Sequence, residues 1–449
     1  MNRNIIKNIS CYLLLVLMMV VSSCSDDEET VFEQSPTERI EARNAELQTL
    51  LLAETNGYKV VYFPNNQKYG GFTFFMKFNA DGTVEMTSDG DANTEVQSSR
   101  YEVRLGSTTE LVFTTRNHIH KLSDSNLPGL IGSGYEGNSI FEYISKNDGK
   151  ITFREPRHEA ILVFEPAQQD DWNQVPDLLA MRQNLVPSET SSVFQQFIII
   201  NANGETNYNL NYDGLRYHAN PRNQAEDGTV SELKFGIAFT TEGLIISPPV
   251  EIEGVTYENF IYDASKQSFI ATVGDTMASI GFADRPAFIT NDVLKIGSGL
   301  NRFLYHIPYG SNPLISQGFN SLIATVNNNI AAFGISFQAF QLNIIPDDNG
   351  NITLWVNTPS ANGNIWSPFI FKHKIEDKKL FLEYLGPGNN NANALQGPLA
   401  PLLNFLTSTD GLFYESKGSF STNTQNFSNT SGTFTSAQDP SLRVYGLWF

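Results

Sequence analysis

The body of this chain contains no cysteine. Cys11 and Cys24 are its two cysteines, both near the start of 449 residues. Beyond them no disulfide, thiol nucleophile or cysteine-held metal can form, so stability has to come from packing. No H-E-x-x-H and no G-x-S-x-G occurs, which leaves zinc-peptidase and α/β-hydrolase chemistry without a sequence signature. Cations are scarce: 29 Lys and Arg stand against 48 Asp and Glu, a net charge of −19. That balance works against nucleic acid and anionic lipid surfaces as partners, because both are polyanions. Long apolar runs are missing too. The longest, residues 11–21, is about half the ~20 residues a helix needs to span a bilayer.

That short run reads as an address. Arg3 and Lys7 precede it and Ser22-Ser23 follow it, the pattern of an export signal over residues 1–23. Val21-Ser22-Ser23-Cys24 is similar to the lipobox of bacterial lipoproteins, in which the cysteine receives a diacylglycerol and becomes a new, acylated N-terminus. Two or more acyl chains anchor a protein stably, so Cys24 is the expected lipidation site. Ser25-Asp26-Asp27-Glu28-Glu29 begins an acidic tether over 24–34 that stays hydrated by self-repulsion. It resembles the export signal that sends Bacteroidota lipoproteins to the outer face of the outer membrane. The leader carries two cations and no acid, so its removal takes the charge from −19 to −21.

What the sequence does have is aromatic mass. With 32 Phe and 17 Tyr, it can bury a large core. Ser35-Pro36-Thr37-Glu38 is a capping box with proline at the first helical turn, and Ile40, Leu47 and Leu51 share one face of the helix it starts. Strand signals follow. In Phe72, Phe74, Met76 and Phe78 alternate residues point one way, and Asp81-Gly82 and Asn147-Asp148-Gly149 are tight turns between strands. The alternation lapses over 168–190, where a short helix begins near Pro176, and then resumes. The expected fold is mainly β: antiparallel barrel- or sandwich-like domains with a few short helices. The expected units are a helix plus β domain at 35–167, a helical connector at 168–190, a β-rich lobe at 191–312 and an α+β lobe at 313–449. A helix–strand–hairpin order near 35–88 and again near 319–357 hints at an old duplication.

Few residues suggest chemistry. Gly132-Ser133-Gly134-Tyr135-Glu136-Gly137 fits G-x-G-x-x-G, but the residues after it alternate as a strand, whereas a dinucleotide site needs a helix there. It reads as a glycine-rich loop. Asp347-x-Asn349-x-Asn351 starts like a calcium loop but has Ile352 and Thr358 where glycine and glutamate are required; a hairpin turn at Asn349-Gly350 is the better reading. His118 and His120 would share one face if 118–120 were a strand, yet a zinc site needs further ligands, so both read as surface residues. No metal or cofactor is implied. Exposed tryptophan with amides can hold a sugar, the ring stacking on its apolar face and the amides bonding hydroxyls. Trp366 and the loop residues Asn389, Asn390 and Asn391 are the candidates for such a contact.

Several stretches together carry a resemblance: residues 35–40 (SPTERI), Asn56-Gly57-Tyr58, residues 70–78 (GGFTFFMKF), Gly134-Tyr135-Glu136-Gly137 and residues 239–244 (FTTEGL). Placed after a lipobox, they resemble an uncharacterised family of Bacteroidota outer-membrane lipoproteins known as a domain of unknown function. The resemblance implies an accessory component of a nutrient-uptake system, beside a TonB-dependent (SusC-like) transporter and a SusD-like lipoprotein. The expected function is therefore non-catalytic binding of a small glycan or peptide at the cell surface. Two alternatives stay open. A surface hydrolase can assemble its carboxylates in space rather than in sequence, and a structural envelope protein needs no ligand.

Overall fold

The computed structural model describes residues 35–449 except 91, 226, 362 and 423–425, so the predicted leader, Cys24 and the tether lie outside the described residues. The described chain is mainly β and antiparallel, with short helices, as the alternation pattern led us to expect.

The first unit starts at the predicted capping box. The Ser35 Oγ accepts from the Glu38 backbone N–H (3.2 Å) and the Glu38 carboxylate accepts from the Ser35 N–H (2.8 Å), which starts α1 (Pro36–Leu51). Eight strands follow: β1 (Tyr58–Tyr62), β2 (Phe72–Phe78), β3 (Thr83–Ser88), β4 (Gln97–Leu105), β5 (Thr109–Phe113), β6 (Ile140–Asn147), β7 (Lys150–Arg154) and β8 (Ile161–Pro166). Each pairs with the next, and β1 pairs with β8 to close a barrel. Alternation fills the inside: Tyr58, Val60, Phe72, Phe74, Met76, Phe141, Phe153 and Phe164 are all buried in one core. Leu47 and Leu51 of α1 join that core and plug the end where the chain enters. The strand-to-strand turns at 79–82 and 148–149 lie at this plugged end. At the second, Asp148 and Gly149 both take positive φ, the backbone that a two-residue hairpin of matching twist demands.

At the opposite end lie the longer loops, 63–71, 89–96, 114–139 and 155–160. Within the third of them the two histidines form no strand. Asn117 caps α2 (His118–Lys121), its Oδ1 accepting from the Ile119 N–H at 3.1 Å. The cap turns the chain helical, which corrects both the strand and the surface placement: His118 is buried, with its Nε2 at 2.9 Å from the Glu95 carbonyl. The glycine-rich 132–137 segment packs on this turn. The Tyr135 and Gly137 N–H groups both donate to the Leu122 carbonyl, and a Cβ on Gly134 would sit 2.9 Å from the Asp124 and Leu122 carbonyl oxygens.

After β8, Trp172 donates to the Asn56 carbonyl (2.8 Å) and packs on Phe75, whose side chain faces out from the barrel wall. From there α3 (Val175–Gln183) climbs the outside of the barrel to the loop end. Arg182, near its C-terminus, donates to the Asp89 carbonyl (2.9 Å), the Asp89 carboxylate (3.2 Å) and the Tyr217 hydroxyl (2.8 Å), with its guanidinium carbon 4.3 Å from the Tyr217 ring centre. The Asp89 carboxylate, 0% exposed, also accepts from the Thr73 N–H at 2.7 Å.

Tyr217 belongs to the second unit. Its strands are β9 (Phe194–Asn201), β10 (Gly204–Asn209), β11 (Tyr212–Asp213), β12 (His218–Ala219), β13 (Arg222–Gln224), β14 (Val230–Glu232), β15 (Phe235–Phe239), β16 (Gly243–Ile252), β17 (Val255–Asp263), β18 (Ser268–Val273) and β19 (Thr276–Ala283). They form one sheet in the order β11-β12-β15-β16-β17-β18-β19-β9-β10-β13-β14. Phe197 on β9 meets Phe235 on β15 at 5.8 Å and Phe260 on β17 at 6.4 Å. Those strands are not neighbours in the sheet, so it curls around its own core. The barrel and this sheet meet backbone to backbone. The Gly70 N–H donates to the Arg216 carbonyl and the Gly71 N–H to the Ile237 carbonyl, and a Cβ on Gly70 would lie 2.3 Å from the latter oxygen.

The third unit is a second closed barrel: β20 (Arg302–His306), β21 (Ala339–Asn343), β22 (Ile352–Asn357), β23 (Trp366–Glu376), β24 (Lys379–Pro387), β25 (Leu412–Ser421), β26 (Asn426–Ser436) and β27 (Arg443–Trp448). Its first strand lies ahead of the Pro313 start expected for an α+β lobe. That strand is short and is parted from its partner β21 by α4 (Gln317–Ile330), which hides the pairing from a local reading. In this barrel a strand precedes the helix, whereas in the first barrel α1 precedes every strand. Asn390 and Asn391, expected in a loop, begin α5 (Asn390–Leu395), which is followed by α6 (Ala400–Leu406). The first packs on β23 and β24 and the second on α4, where Phe405 meets Phe319 at 5.2 Å; β24 and β25 share a single register pair, Leu380 with Leu412. Inside, Phe303 packs on Phe434 (4.9 Å) and Trp448 (5.3 Å).

Burial of Asp89 has a measurable consequence. Loss of solvation outweighs the attraction of Arg182 and the Thr73 N–H, and raises the carboxyl from 3.8 to about 6. Between those values the folded chain holds a proton that the unfolded chain has lost, so stability falls as pH rises, by about 3 kcal/mol over the interval. The expected result is that the unfolding free energy of the wild type minus that of Asp89→Asn drops by about that much from pH 4 to pH 7 in urea titrations. A flat or rising difference would contradict burial as the dominant cause.

Candidate functional site

Neither barrel offers a lumen, because both interiors are filled by side chains. Room for a ligand exists instead where units meet. Between the curled sheet and the second barrel lies a cleft of about 750 Å³, within the usual range of small-ligand sites. The sheet contributes the start of β9 and the segment from Asn209 to Arg216; the barrel contributes Glu415, Lys417 and Arg443; Leu185, Pro187, Pro313 and Leu314 complete the wall. Phe194 meets Phe413 edge to face at 5.5 Å, and the Val193 N–H donates to the Pro440 carbonyl at 3.0 Å, tying the two walls together.

The barrel side follows from strand register. Phe413, Thr435 and Arg443 are opposed across β25, β26 and β27, and Glu415, Thr433 and Tyr445 form the next row. Opposed residues share a face, so Glu415 and Arg443 both present to the outside of the barrel. Thr433 between them is 0% exposed, and its Oγ1 has no protein partner.

The charges are arranged unequally. Asp213 accepts from the Leu215 and Arg216 N–H groups through Oδ1 and pairs with the Arg216 guanidinium at 2.6 Å through Oδ2. Lys417 pairs with Glu415 at 3.2 Å. Arg443 bonds a neutral group: its Nε donates to the Leu314 carbonyl at 2.8 Å. Among the described residues no carboxylate reaches it for an ion pair. Burial pushes its guanidinium below the ordinary range, with Glu415 pulling the other way. The cleft thus holds three cations against two carboxylates, in a chain of net charge −19.

Other hollows are less equipped. The groove along α1 is lined by Arg39, Arg43 and Lys146, but one Arg43 terminal nitrogen donates to both the Tyr143 and Ile144 carbonyls. A second cleft of about 740 Å³ by Arg285 and Lys378 has its Lys378 ammonium on the Ile289 carbonyl. Among the described residues no group of three or more His, Cys, Asp or Glu side chains is placed to hold a metal. At the suspected calcium loop, the Asp347 Oδ1 accepts from the Asn349 and Asn351 N–H groups (2.8 and 2.9 Å) and shapes the turn.

The candidates for sugar contact sit elsewhere, at one rim of the second barrel. Trp366 opens β23 and is 41% exposed. The Gly388 N–H donates to the Pro368 carbonyl at 2.7 Å, which brings the start of α5 to the same rim. There the Asn389 Oδ1 accepts from the Ala392 N–H at 2.8 Å and caps α5, while Asn390 and Asn391 are exposed. Trp355 on β22, opposite Pro368, lies on the same sheet face diagonal to Trp366; the remaining two tryptophans are elsewhere. Trp448 donates to the Tyr414 hydroxyl inside the barrel and Trp172 is held at the first barrel. Arg443, Arg216 and Lys417 escaped the sequence reading. Glu415-x-Lys417 alternates as two residues on one strand face do, but nothing local ties that pair to Arg443 or to Arg216, some two hundred residues away.

Residues 28–264 match a family model described as a domain of unknown function, DUF4302. No curated protein matches the chain. Among solved structures, the β subunit of the DNA polymerase of Streptococcus pyogenes is 8% identical over 92% of this chain and 97% of that one, with a TM-score of 0.16. A Nostoc punctiforme protein of unknown function from the DUF3598 family is 10% identical over 75% and 99%, with a TM-score of 0.11. Intact Ap-TbpB, with its N and C lobes, is 9% identical over 88% and 77%, with a TM-score of 0.14. At such scores these likenesses carry no weight for fold or function.

The amides at the rim are separable by stability. Asn389→Ala should cost about 1 kcal/mol through the lost cap, seen as a lower urea midpoint. Asn390→Ala and Asn391→Ala should leave that midpoint unchanged; a loss equal to that of Asn389→Ala would mean that they too hold the fold.

Proposed function

The chain belongs to this family of unknown function, and from that premise we propose that it is a non-catalytic, lipid-anchored surface lipoprotein that binds a small glycan or peptide. The observation that carries the reading is the cleft of about 750 Å³ between the curled sheet and the second barrel, with its excess of cationic side chains. A ligand site at a junction of rigid units needs no lumen, and the filled barrels provide none. Trp366, with Asn390 and Asn391 beside it, is a second surface proposed for a sugar ring.

Binding is favoured over hydrolysis by the state of the acids. A hydrolase of the two-carboxylate kind needs one carboxyl group raised and open to substrate. Among the described residues the carboxyl raised in this way is Asp89, and it is 0% exposed and held by Arg182. Anchoring is proposed through Cys24, with the acidic tether leading the protein to the outer face of the outer membrane. Among the described residues no helix is long and apolar enough to cross a membrane. The role we propose is that of an accessory to nutrient uptake beside a TonB-dependent transporter and its SusD-like partner. An anchor confines the site to the membrane face and raises its effective concentration there.

The test is a crosslinked pull-down of the tagged protein from solubilised envelope, with Cys24→Ala as the unanchored control. Recovery of a TonB-dependent transporter by the wild type, lost in the control, is expected. Recovery of no envelope partner by the wild type would overturn the accessory role.

A further inference from the structure

We infer that the cleft grips its ligand by a carboxylate group, held by Arg443; this rests on the cleft being the ligand site. Arg216 and Lys417 are already matched by Asp213 and Glu415. Arg443 is the cation in the cleft that forms no ion pair with a carboxylate among the described residues; Glu415 acts on it only at longer range. A partly buried guanidinium without a directly paired carboxylate is costly, and the cost is relieved when an anion arrives.

Geometry selects the form of that anion. The Nε bond to the Leu314 carbonyl and the backbone bond from the Arg443 N–H to the Ser316 Oγ (2.9 Å) fix the side chain at its root. What remains is the pair of terminal nitrogens, a planar fork that matches two oxygens of one group. Charge selects further. The cleft is one unit positive, so a monoanion neutralises it. A phosphate dianion would leave a second negative charge beside Glu415 and Asp213, where repulsion opposes it. A carboxylate fits both conditions. Uronic-acid sugars and peptide C-termini both present one, and the cleft recognises that shared group.

The experiment is calorimetric titration of the full chain, carrying Cys24→Ala for solubility, with four probes: an oligoglucuronate, its methyl ester, an N-acetylated tripeptide with a free C-terminus, and inorganic phosphate. At least one of the two carboxylates should bind, and which one does identifies the source. Esterification should weaken binding at least tenfold, a comparison that needs no variant. Arg443→Gln should weaken the acid to the level of the ester, and Arg443→Lys should restore part of the loss by keeping the charge without the fork. Equal binding of acid and ester overturns the carboxylate grip while leaving the cleft a ligand site. Phosphate binding as tight as the carboxylate overturns the monoanion selection. Unchanged affinity in Arg443→Gln, with a native melting curve, overturns the role of Arg443. Failure of every probe to bind overturns the inference together with the cleft reading.

Discussion

The Arg182 guanidinium is the point at which the first barrel, the connector helix and the curled sheet become one body. It reaches from α3 to Asp89 at the end of β3 and to Tyr217 ahead of β12. A buried ion pair is not in itself a strong source of stability, since two charges must leave water to form it. Its value here is position. Once Asp89 is sealed, removing Arg182 would strand a carboxylate among Phe72, Tyr217 and the backbone of β2, so no alternative docking of the barrel on the sheet satisfies both groups. With no cysteine in the described chain to cross-link the units, this knot and the glycine contact at Gly70 set their mutual placement. Backbone packed that closely tolerates no sliding, because a shift brings carbonyl oxygen into Cα.

The aromatic content explains why function moves to the junctions. Eight-stranded barrels are just wide enough for side chains to fill, and phenylalanine and tyrosine fill both of these. Each barrel is then a solid strut with one end plugged by helices. Ligand recognition needs concave, partly polar surface, and such surface arises where two convex bodies lean together. The cleft beside Arg443 is that kind of place: its wall is the polar outside of β25 and β27 rather than any interior.

Local features of the fold were legible because local physics decides them. The capping box at Ser35, the alternation through Phe72–Phe78 and the Asp148-Gly149 turn each follow from a few adjacent residues. Long-range features were not. β9 sits between β10 and β19 in the sheet, a placement fixed by the meeting of Phe197 with Phe235 and Phe260, which no window of sequence contains. β20 was missed because a whole helix separates it from its partner. At His118 the sequence left the local structure open, and the Asn117 side chain, by satisfying the N–H of Ile119, made a helical turn the better solution. The candidate site divides in the same way. Trp366 is exposed, as a reading of single residues anticipates, whereas the cationic cleft is a product of three distant segments.

The order of units along the chain bears on how an anchored site would work. The chain enters at the end of the first barrel plugged by α1; the curled sheet docks on the opposite, loop-bearing end, and the cleft lies where that sheet meets the second barrel. A seven-residue strand rises roughly 23 Å and tilts by about 35–45° in a closed barrel, so the cleft stands at least a barrel's height, roughly 16–19 Å, from the point where a tether on Cys24 would join. The contacts at Arg182 and Gly70 join the first barrel to the sheet, which places that wall of the cleft beyond the barrel's loop-bearing end. In a chain of net charge −19 the cleft beside Arg443 is one unit positive, so the overall repulsion of an anionic ligand would sharpen selection at the site while weakening capture from a distance.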